Sequence, residues 1–512
     1  MFVRRVAPAT LALIVIALLL VAAAGAARFY GLQRMVVWHD EVFSVIRVLG
    51  FDHGTVRRSL FAGEHDLNAV QVLHFQTPDP TLGWSDTWRA LTGHPEHPPL
   101  FFLLSRLSVE LNESTILGIR ATSALLSLLL FPAVAWFARE LYGRGAAPWL
   151  ALILVAVAPL HLLYAQEARQ YALWSVLIAA SSAALLRALR RDSTANWSLY
   201  ALLLTLALYT HLLSALLLVV HLVYVGWQGF RENNLQRVTA KHLGYAVTAA
   251  LVVFLPWLLV IVDGYTAMQH FTHWMSQTVS LDRLAWIWLK HLSRPFVDLP
   301  EQTWTEWLLV PVILAIVLRG CGAPKQKLLW AMLLIWVIGL LSPDLLFGGR
   351  RTLESRYLMP VFLAFELLLV GALNDYWNGS VRSRWIGILL LVLLSTAGLL
   401  SQWRILHADT WWTKSYSAGN VELARLINHT ERPVVLVDVG DANLGQVISL
   451  SYLLDTKVRL RIQTDYSAYD PPEDITALFA FSPGDSLKRR LDPDYRFEPL
   501  SGSWQWYRLV TR

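Results

Sequence analysis

The most constraining feature of this 512-residue sequence is a series of long apolar runs, many of them separated by short basic segments. An α-helix rises 1.5 Å per residue, so about 20 apolar residues cross a hydrocarbon core of about 30 Å. The mean hydropathy is +0.45, and only 16% of the residues are charged. The sequence therefore predicts a multi-pass helical membrane protein and excludes an ordinary soluble fold.

The apolar runs predict about eleven transmembrane helices, which makes the fold class an all-α polytopic membrane protein. The spans are expected near residues 6–27, 116–138, 147–163, 171–189, 197–210, 213–228, 243–262, 306–319, 328–346, 357–374 and 385–402. A long polar loop, from about residue 28 to 115, follows the first span. Within it, Leu100–Leu111 would make a helix only about 18 Å long. We expect that helix to lie in the membrane interface.

Basic residues in the connecting segments predict the orientation, because Lys and Arg are concentrated in cytoplasmic loops. If Leu100–Leu111 does not span, five basic loops all fall on the cytoplasmic side. These loops contain Arg139 and Arg144; Arg187, Arg190 and Arg191; Arg231, Arg237 and Lys241; Arg319, Lys325 and Lys327; and Arg382 and Arg384. The N-terminus is then cytoplasmic, and the net charge of +6 requires no nucleic-acid partner.

The last part of the chain has a different composition. Residues 1–402 are predicted to form the transmembrane domain, and residues 403–512 a small α/β soluble domain outside the cytoplasm. The patterns predict helices at Val421–Asn428 and near Leu444–Leu454, and strands at Val434–Val439 and Lys457–Ile462. No nucleotide-binding glycine pattern occurs, so we expect a scaffold or acceptor-docking role for this domain.

Five polar clusters fall on the predicted outer face: Trp38–Glu41, Gly93–Leu100, Leu163–Tyr171, Tyr209–His211 and Gly349–Tyr357. In the first, Asp40 and Glu41 are neighbours, so on a helix they point in different directions. Only one of these carboxylates is expected to face a reaction. A simple capping or loop-end role is the alternative.

The arginines of the Gly349–Tyr357 cluster run against the positive-inside trend. Arg350, Arg351 and Arg356 lie within seven residues on the outer face, which indicates an anionic partner. A solvated loop paired with Glu354 is the alternative. A structural ion pair with Glu167 is likewise the alternative for Arg169.

His94 and His97 have a spacing that could bind a metal ion, but no further ligands accompany them. The adjacent prolines favour a role in forming a turn. The single cysteine, Cys321, excludes an intramolecular disulfide. We therefore expect neither a metal ion nor another cofactor.

Taken in order, the motifs resemble those of the GT-C membrane glycosyltransferases. They are Asp40-Glu41, His97-Pro98-Pro99-Leu100, the run from Tyr164 to Tyr171, Tyr209-Thr210-His211, and Arg356-Tyr357. The nearest group is the protein O-mannosyltransferase and lipid A aminoarabinose transferase family, over roughly residues 1–375. This resemblance implies a catalytic transmembrane domain that uses a polyprenyl-phosphate sugar donor on the non-cytoplasmic face. An acidic residue of the first outer loop serves such enzymes as the base, and Asp40 matches it by position.

The expected chemistry also has a physical basis. A phosphate monoester is a good leaving group, since its second pKa is near 6, so one carboxylate suffices to take the acceptor proton. Asp40 is then the base of an inverting transfer. Arg169, Arg351 and Arg356 are expected to bind the donor phosphate. The remaining site residues are Glu41, Glu167, His97, Tyr171 and Tyr357, of which the two carboxylates would position the acceptor or the arginines. Metal-dependent relatives use an Asp-x-Asp pair, which is absent because Val42 follows Glu41.

The expected partners are the lipid-linked donor, membrane lipids and a hydroxyl acceptor on a protein, glycolipid or glycan. The expected location is a bacterial plasma membrane. Two other functions remain open: a lipid-linked sugar transporter or flippase, and a non-catalytic membrane scaffold. A transporter would need charged or broken segments at mid-membrane, whereas most ionisable clusters here lie at span ends.

Overall fold

The computed structural model describes residues 8–61, 66–112, 114–232, 237–299, 313–314, 326–438, 441–500 and 505–512. Apart from residues 313–314, the predicted span at 306–319 lies outside the described residues. The chain divides into two compact units. Unit 1 consists of Met1–Tyr30, Thr92–Phe101 and Arg120–Leu406, and unit 2 of Gly31–Leu91, Phe102–Ile119 and His407–Arg512. The functional division at residues 402 and 403 stays a prediction.

The fold is mainly helical, as the sequence predicts. In chain order the helices are α1 Pro8–Ala27, α2 His39–Leu49, α3 His53–Leu60, α4 Ala69–Leu73, α5 Trp84–Thr92, α6 Leu100–Val109, α7 Thr115–Ser127, α8 Leu130–Tyr142, α9 Ala147–Val157, α10 Pro159–Ala165, α11 Tyr171–Arg190, α12 Thr194–Thr210, α13 Ser214–Glu232, α14 Arg237–Asp263, α15 Tyr265–Thr272, α16 Leu281–Ser293, α17 Lys327–Leu346, α18 Met359–Asn378, α19 Val381–His407, α20 Asn420–Asn428, α21 Asp441–Ser451 and α22 Asp485–Leu491. Helix α6 confirms that the short apolar run in the first loop is helical. Its place in the membrane interface stays a prediction.

Within the described residues, seven helical segments are long and apolar enough to cross a membrane, or eight if the bent pair α9–α10 is one span. Two further apolar helical stretches, Leu100–Val109 and Ser214–Gly229, are shorter, and the predicted count of eleven stays a prediction. In unit 1, α11 and α18 are almost entirely buried, and α8, α9, α12 and α17 pack against one or both of them. Exposed apolar side chains such as Leu19 on α1 and Leu259 on α14 fit contact with lipid. The chain is an integral, multi-pass membrane protein.

One predicted span, residues 147–163, is sharply bent. Helices α9 and α10 meet at 62°. Pro159 follows the bend, and Ala158 before it is extended (φ −66°, ψ 117°), as sterics require for a residue preceding proline. Gln402 of α19 donates its side-chain amide to the carbonyls of Ala156 (2.9 Å) and Ala158 (3.2 Å). The carbonyl groups that the bend removes from the helix ladder are therefore satisfied inside the protein.

Unit 2 contains the small α/β portion. Its described residues form five strands: β1 Pro433–Asp438, β2 Arg459–Gln463, β3 Ala477–Phe481, β4 Tyr495–Pro499 and β5 Trp506–Thr511. They form a sheet in the order β2-β1-β3-β5-β4, in which β1 is parallel to β2 and β3, and β5 is antiparallel to β3 and β4. The run of valine and leucine in β1 is buried, as expected for a central parallel strand covered on both faces. The predicted helices and strands at 421–462 are thereby confirmed within two or three residues at their ends.

Helix α2, which carries Asp40 and Glu41, has defined ends. Trp38 precedes it in an extended conformation, and the backbone amide of Trp38 donates to Glu41 Oε2 at 3.3 Å. Gly50 ends it in the left-handed region (φ 88°), and a Cβ there would lie 2.8 Å from the backbone nitrogen of Thr87. Only glycine fits both conditions, so the position of α2 is fixed at both ends.

We predict that Gln402→Met lowers the free energy of unfolding by about 1–3 kcal/mol, because two carbonyls at the bend lose their donor where no water replaces it. The measurement is thermal or SDS-induced unfolding of the detergent-purified protein. Gln228→Met is the control, since Gln228 on α13 is half-buried and donates to the Tyr224 hydroxyl one turn away (2.8 Å) on the same helix. An equal loss in both variants would contradict the role given to Gln402.

Candidate active site

The two adjacent carboxylates lie in the first turn of α2, in unit 2, and have different surroundings. Glu41 is fully buried, and its Oε2 lies 2.9 Å from Nζ of Lys414, which is also buried. Asp40 is half-buried. The two side chains therefore differ in burial and direction, as expected for neighbouring positions on a helix. Glu41 is held in a buried ion pair, so Asp40 is the better candidate for contact with a substrate.

In unit 1, the predicted motif from Tyr164 to Tyr171 forms the buried turn between α10 and α11. Glu167 and Arg169 are 1% and 4% exposed, and the amide of Arg169 donates to the carbonyl of Glu167 (2.7 Å). The Arg169 guanidinium lies 5.8 Å from the centre of the Tyr171 ring. The Tyr164 hydroxyl forms a 2.7 Å hydrogen bond with Ser355 Oγ. This bond connects the turn to the arginine-rich loop before α18.

That loop, also in unit 1, places two arginines around one carboxylate and one aromatic ring. Arg356 Nη2 lies 3.2 Å from Glu354 Oε2, and Arg350 Nη2 lies 3.8 Å from Glu354 Oε1. Both guanidinium groups also lie near the ring of Trp274, at 5.8 and 5.7 Å from its centre. Pairing with Glu354 is thus observed, as the loop alternative predicts, but Arg356 is buried rather than solvated.

Arg351 has a different partner. Its Nη1 lies 2.8 Å from Oδ1 of Asp344, in the last turn of α17. The other oxygen of Asp344 accepts hydrogen bonds from the backbone nitrogen (2.9 Å) and hydroxyl (2.8 Å) of Thr352. This arrangement favours a structural role for Arg351, because its charge is balanced by a buried carboxylate. Phosphate binding by Arg351 stays a prediction.

His211, between α12 and α13, contacts both arginine-bearing motifs. Its ring stacks on Trp174 with centroids 4.2 Å apart, and it lies 5.9 Å from the rings of both Tyr171 and Tyr357. Nδ1 accepts from the backbone nitrogen of Leu213 at 3.2 Å. Burial, followed by the charges of Arg169 and Arg356, lowers the pKa of His211 to about 3. The imidazole is therefore neutral at physiological pH, with its proton on Nε2.

The predicted histidine motif lies elsewhere in unit 1. Glu96 Oε1 is 3.3 Å from His94 Nδ1 and 3.7 Å from His97 Nε2. The backbone amide of His97 donates to the carbonyl of His94 (3.0 Å), so the segment is a turn, as its prolines predict. Within the parts of the chain that the structure describes, no group of three or more His, Cys, Asp or Glu side chains could hold a metal ion. His97 as a site residue stays a prediction.

The structure therefore groups Arg169, Tyr171, Arg356 and Tyr357 around His211, and it pairs Glu41 with Lys414. Sequence reasoning missed Lys414 and Trp274 as members of these groups. Neither belongs to a recognisable motif: Lys414 is 373 residues from its partner, and Trp274 is one of 23 tryptophans. Arg350 was part of a predicted cluster but not of the predicted site.

We predict that stability falls as the pH drops below about 6.5, because the unfolded chain binds a proton at His211 that the folded protein does not. The loss from this residue is about 1.4 kcal/mol per pH unit, or about 2 kcal/mol by pH 5. His211→Asn keeps an acceptor for Leu213 but cannot titrate. The unfolding midpoint, measured from pH 7 to 5, should fall less in this variant than in the wild type. Equal slopes would contradict the assignment.

Comparison with known proteins gives a family-model match to part of the chain and a similar fold among solved structures. The family model of the dolichyl-phosphate-mannose-protein mannosyltransferases matches residues 96–260. The structure is similar to that of ArnT from Cupriavidus metallidurans bound to undecaprenyl phosphate (TM-score 0.52, 15% identity) and to ArnT in the apo state (TM-score 0.53, 16% identity). In both comparisons the alignment covers 96% of this chain and 97% of ArnT. No curated protein matches the sequence.

At this identity the comparison with ArnT shows the fold, and it does so over almost the whole of both chains. The family match covers residues 96–260, most of which belong to unit 1. This range contains the predicted motifs from His97 to His211. Together these two findings confirm the resemblance of the chain to the GT-C superfamily of membrane glycosyltransferases.

Proposed function

We propose that the protein is an inverting glycosyltransferase. It transfers a sugar from a polyprenyl-phosphate donor to a hydroxyl acceptor on the non-cytoplasmic face of the membrane. The matching family is described by a dolichyl-phosphate-linked sugar, and ArnT was crystallised with undecaprenyl phosphate. Both lipids are polyprenyl phosphates. The proposal extends this class of donor to the present chain.

The observation that carries the proposal is the group of buried arginines in unit 1. Arg169 is 4% exposed and Arg356 is 8% exposed, and both lower the pKa of the same histidine. Apart from the Arg351 ion pair, the two loops contribute Arg169, Arg350 and Arg356 against Glu167 and Glu354. Three positive and two negative charges leave a formal charge of +1. Buried positive charge near apolar helices favours an anionic ligand, and guanidinium groups suit a phosphate.

The reaction needs few protein groups. The acceptor oxygen forms a bond to the anomeric carbon as the bond from that carbon to the phosphate oxygen breaks. The electron pair of the broken bond leaves with the polyprenyl phosphate, and the acceptor proton goes to the Asp40 carboxylate. Negative charge on the phosphate rises during the step. Arginines there stabilise the transition state more than the ground state. A single displacement inverts the anomeric centre.

Asp40 rather than Glu41 is the proposed base, because the Glu41 carboxylate is held by groups of the protein. Glu41 forms an ion pair with Lys414 and accepts the backbone amide of Trp38, whereas Asp40 is half-buried in the same helical turn. A partly accessible carboxylate can reach a bound hydroxyl. Arg169 and Arg356 are the proposed phosphate ligands, and Arg350 joins them because it shares Glu354 and Trp274 with Arg356. Tyr171 and Tyr357 contribute the aromatic rings around His211.

The proposed setting is a bacterial plasma membrane with the N-terminus in the cytoplasm and residues 403–512 outside it. The alternation of basic loops supports this orientation. The acceptor is a protein, a glycolipid or a glycan. The aromatic and arginine residues of unit 1 are assigned to the donor, and they do not discriminate among these three.

A lipid-linked sugar transporter is the second candidate, because unit 1 holds a buried pair of ionisable side chains within its apolar helices. His161 Nε2 on α10 lies 3.0 Å from Glu366 Oε2 on α18. Such pairs and broken helices are typical of transporters. However, the carbonyls exposed by the bend between α9 and α10 are bonded to Gln402, so they are occupied. This packing favours the transferase.

The test is sugar transfer from radiolabelled polyprenyl-phosphate hexose by the purified full-length protein, with membrane lipids and periplasmic proteins as separate acceptor fractions. We predict that Asp40→Asn lowers kcat about 10²–10⁴-fold and leaves donor binding intact, because only the proton acceptor is lost. Arg356→Ala should weaken donor binding and lower kcat/KM by about 10²–10³-fold.

Arg190→Ala is the matched control, since Arg190 ends α11 about 28 Å from Tyr171 and pairs with Glu140. It should retain wild-type transfer. Wild-type turnover in a folded, donor-binding Asp40→Asn enzyme would overturn the role of Asp40. Movement of the donor across sealed vesicles, without transfer to any fraction, would favour the transporter.

A further inference from the structure

The turn that carries Asp40 is anchored by the C-terminal part of unit 2. Lys414 lies in a short helical segment, Trp412–Ser417, and its ammonium group is 2.9 Å from Glu41 Oε2. The side chains of Glu41 and Lys414 are 0% and 2% exposed. The ammonium also lies 5.8 Å from the centre of the Trp38 ring. One buried ion pair thus connects the first turn of α2 to a segment more than 370 residues away.

Further hydrogen bonds join the same two segments. Ser417 Oγ accepts from the backbone amide of His39 (3.0 Å) and donates to Gln446 Oε1 (2.8 Å). Ser449 Oγ donates to the carbonyl of Val37 (2.5 Å). Gln446 and Ser449 both belong to α21. The backbone on both sides of Trp38 is therefore held by the C-terminal part of unit 2.

The ion pair matters for the base because the two carboxylates are consecutive. Paired with Lys414, Glu41 adds no net charge beside Asp40, and its side chain cannot swing toward the substrate side. If either partner is removed, an uncompensated buried charge remains one residue from the base. The pair thus controls both the direction of the Asp40 side chain and the electrostatic potential at its carboxylate.

We propose that Lys414 is a positioning residue for the catalytic carboxylate of Asp40, acting through its ion pair with Glu41. The segment from residue 407 onward thereby belongs to the catalytic machinery, in addition to any role in docking an acceptor. This inference rests on the proposed role of Asp40 as the base. It assigns a function to the part of the chain that lies outside the sequence motifs.

The test measures kcat, donor KM and the pH dependence of kcat/KM for the full-length protein. Lys414→Met should lower kcat at least tenfold per folded molecule and leave donor KM within twofold. The acid limb of kcat/KM reports the pKa of the base. In Lys414→Met it should move up by about 0.5 to 1.5 pH units, because a positive charge near Asp40 is lost. In Glu41→Gln it should move down, because Lys414 is then unbalanced.

The double variant Glu41→Gln/Lys414→Met removes both charges, so its acid limb should return to within about 0.3 units of the wild type. The other titratable groups on α2 and on the elements packed around it are unchanged in all these variants; they include His39, Arg47, His53, His74 and Tyr416. The control is Asp66→Asn/Arg461→Met. This pair (2.8 Å) also joins the first loop to the C-terminal part of unit 2, but neither residue belongs to the first turn of α2 or to the segment Trp412–Ser417. Its kcat and acid limb should match the wild type.

Opposite shifts in the two single variants would not arise from a loss of stability alone. The inference is overturned if Lys414→Met keeps kcat within twofold of wild type. It is also overturned if the acid limbs of Lys414→Met and Glu41→Gln move in the same direction. Should Lys414→Met fail to fold, Glu41→Gln and the double variant carry the same test. An active Asp40→Asn enzyme would instead overturn the proposed base, and the inference would fall with it.

Discussion

Hydrocarbon offers no hydrogen-bond partners, and this constraint governs the whole membrane portion of the protein. Every backbone group and charge in the apolar helices must find its partner within the chain. The bend at Pro159 illustrates the consequence. It frees carbonyl groups that would be satisfied by water in a soluble protein, and Gln402 supplies the two donors instead. The same constraint gives significance to the buried arginines, because each must be balanced by a carboxylate, an aromatic ring or a ligand.

The arginine loop shows how this balance separates residues that look equivalent. Arg350 and Arg351 are adjacent and chemically identical, yet one approaches Glu354 and Trp274 and the other pairs with Asp344. The Asp344 pair also binds Thr352 and so fixes the loop to α17. With Arg351 held in this way, the opposite end of the loop can present Arg356 beside His211. A structural ion pair thus supports the geometry of the proposed phosphate ligands.

Much of the fold follows from local pattern. Apolar runs long enough to cross a membrane predict helices, because length and apolarity are properties of a single segment. Strand β1 and helix α20 could be predicted for the same reason. Strands β3, β4 and β5 were not foreseen. Strands β4 and β5 are half-buried with a mixed pattern and depend on pairing within the sheet. The bend in the third predicted span was also missed, although Pro159 marks it. Its stabilising partner, Gln402, lies more than 240 residues away and leaves no local signal.

The candidate site has the same limits. Asp40, Arg169 and Arg356 could be selected because acidic or basic residues at the ends of apolar runs demand an explanation. Lys414 could not, because it lies between polar and aromatic residues in a segment that looks like part of a separate domain. Its pairing with Glu41 shows that boundaries drawn from composition do not coincide with compact units of structure. In the proposed mechanism the carboxylate of Asp40 needs a fixed direction and a controlled electrostatic potential, and the ion pair between Lys414 and Glu41 is proposed to supply both. The composition of residues 403–512 is typical of a soluble domain. The ion pair between Lys414 and Glu41 shows that this part of the chain also anchors the first turn of α2.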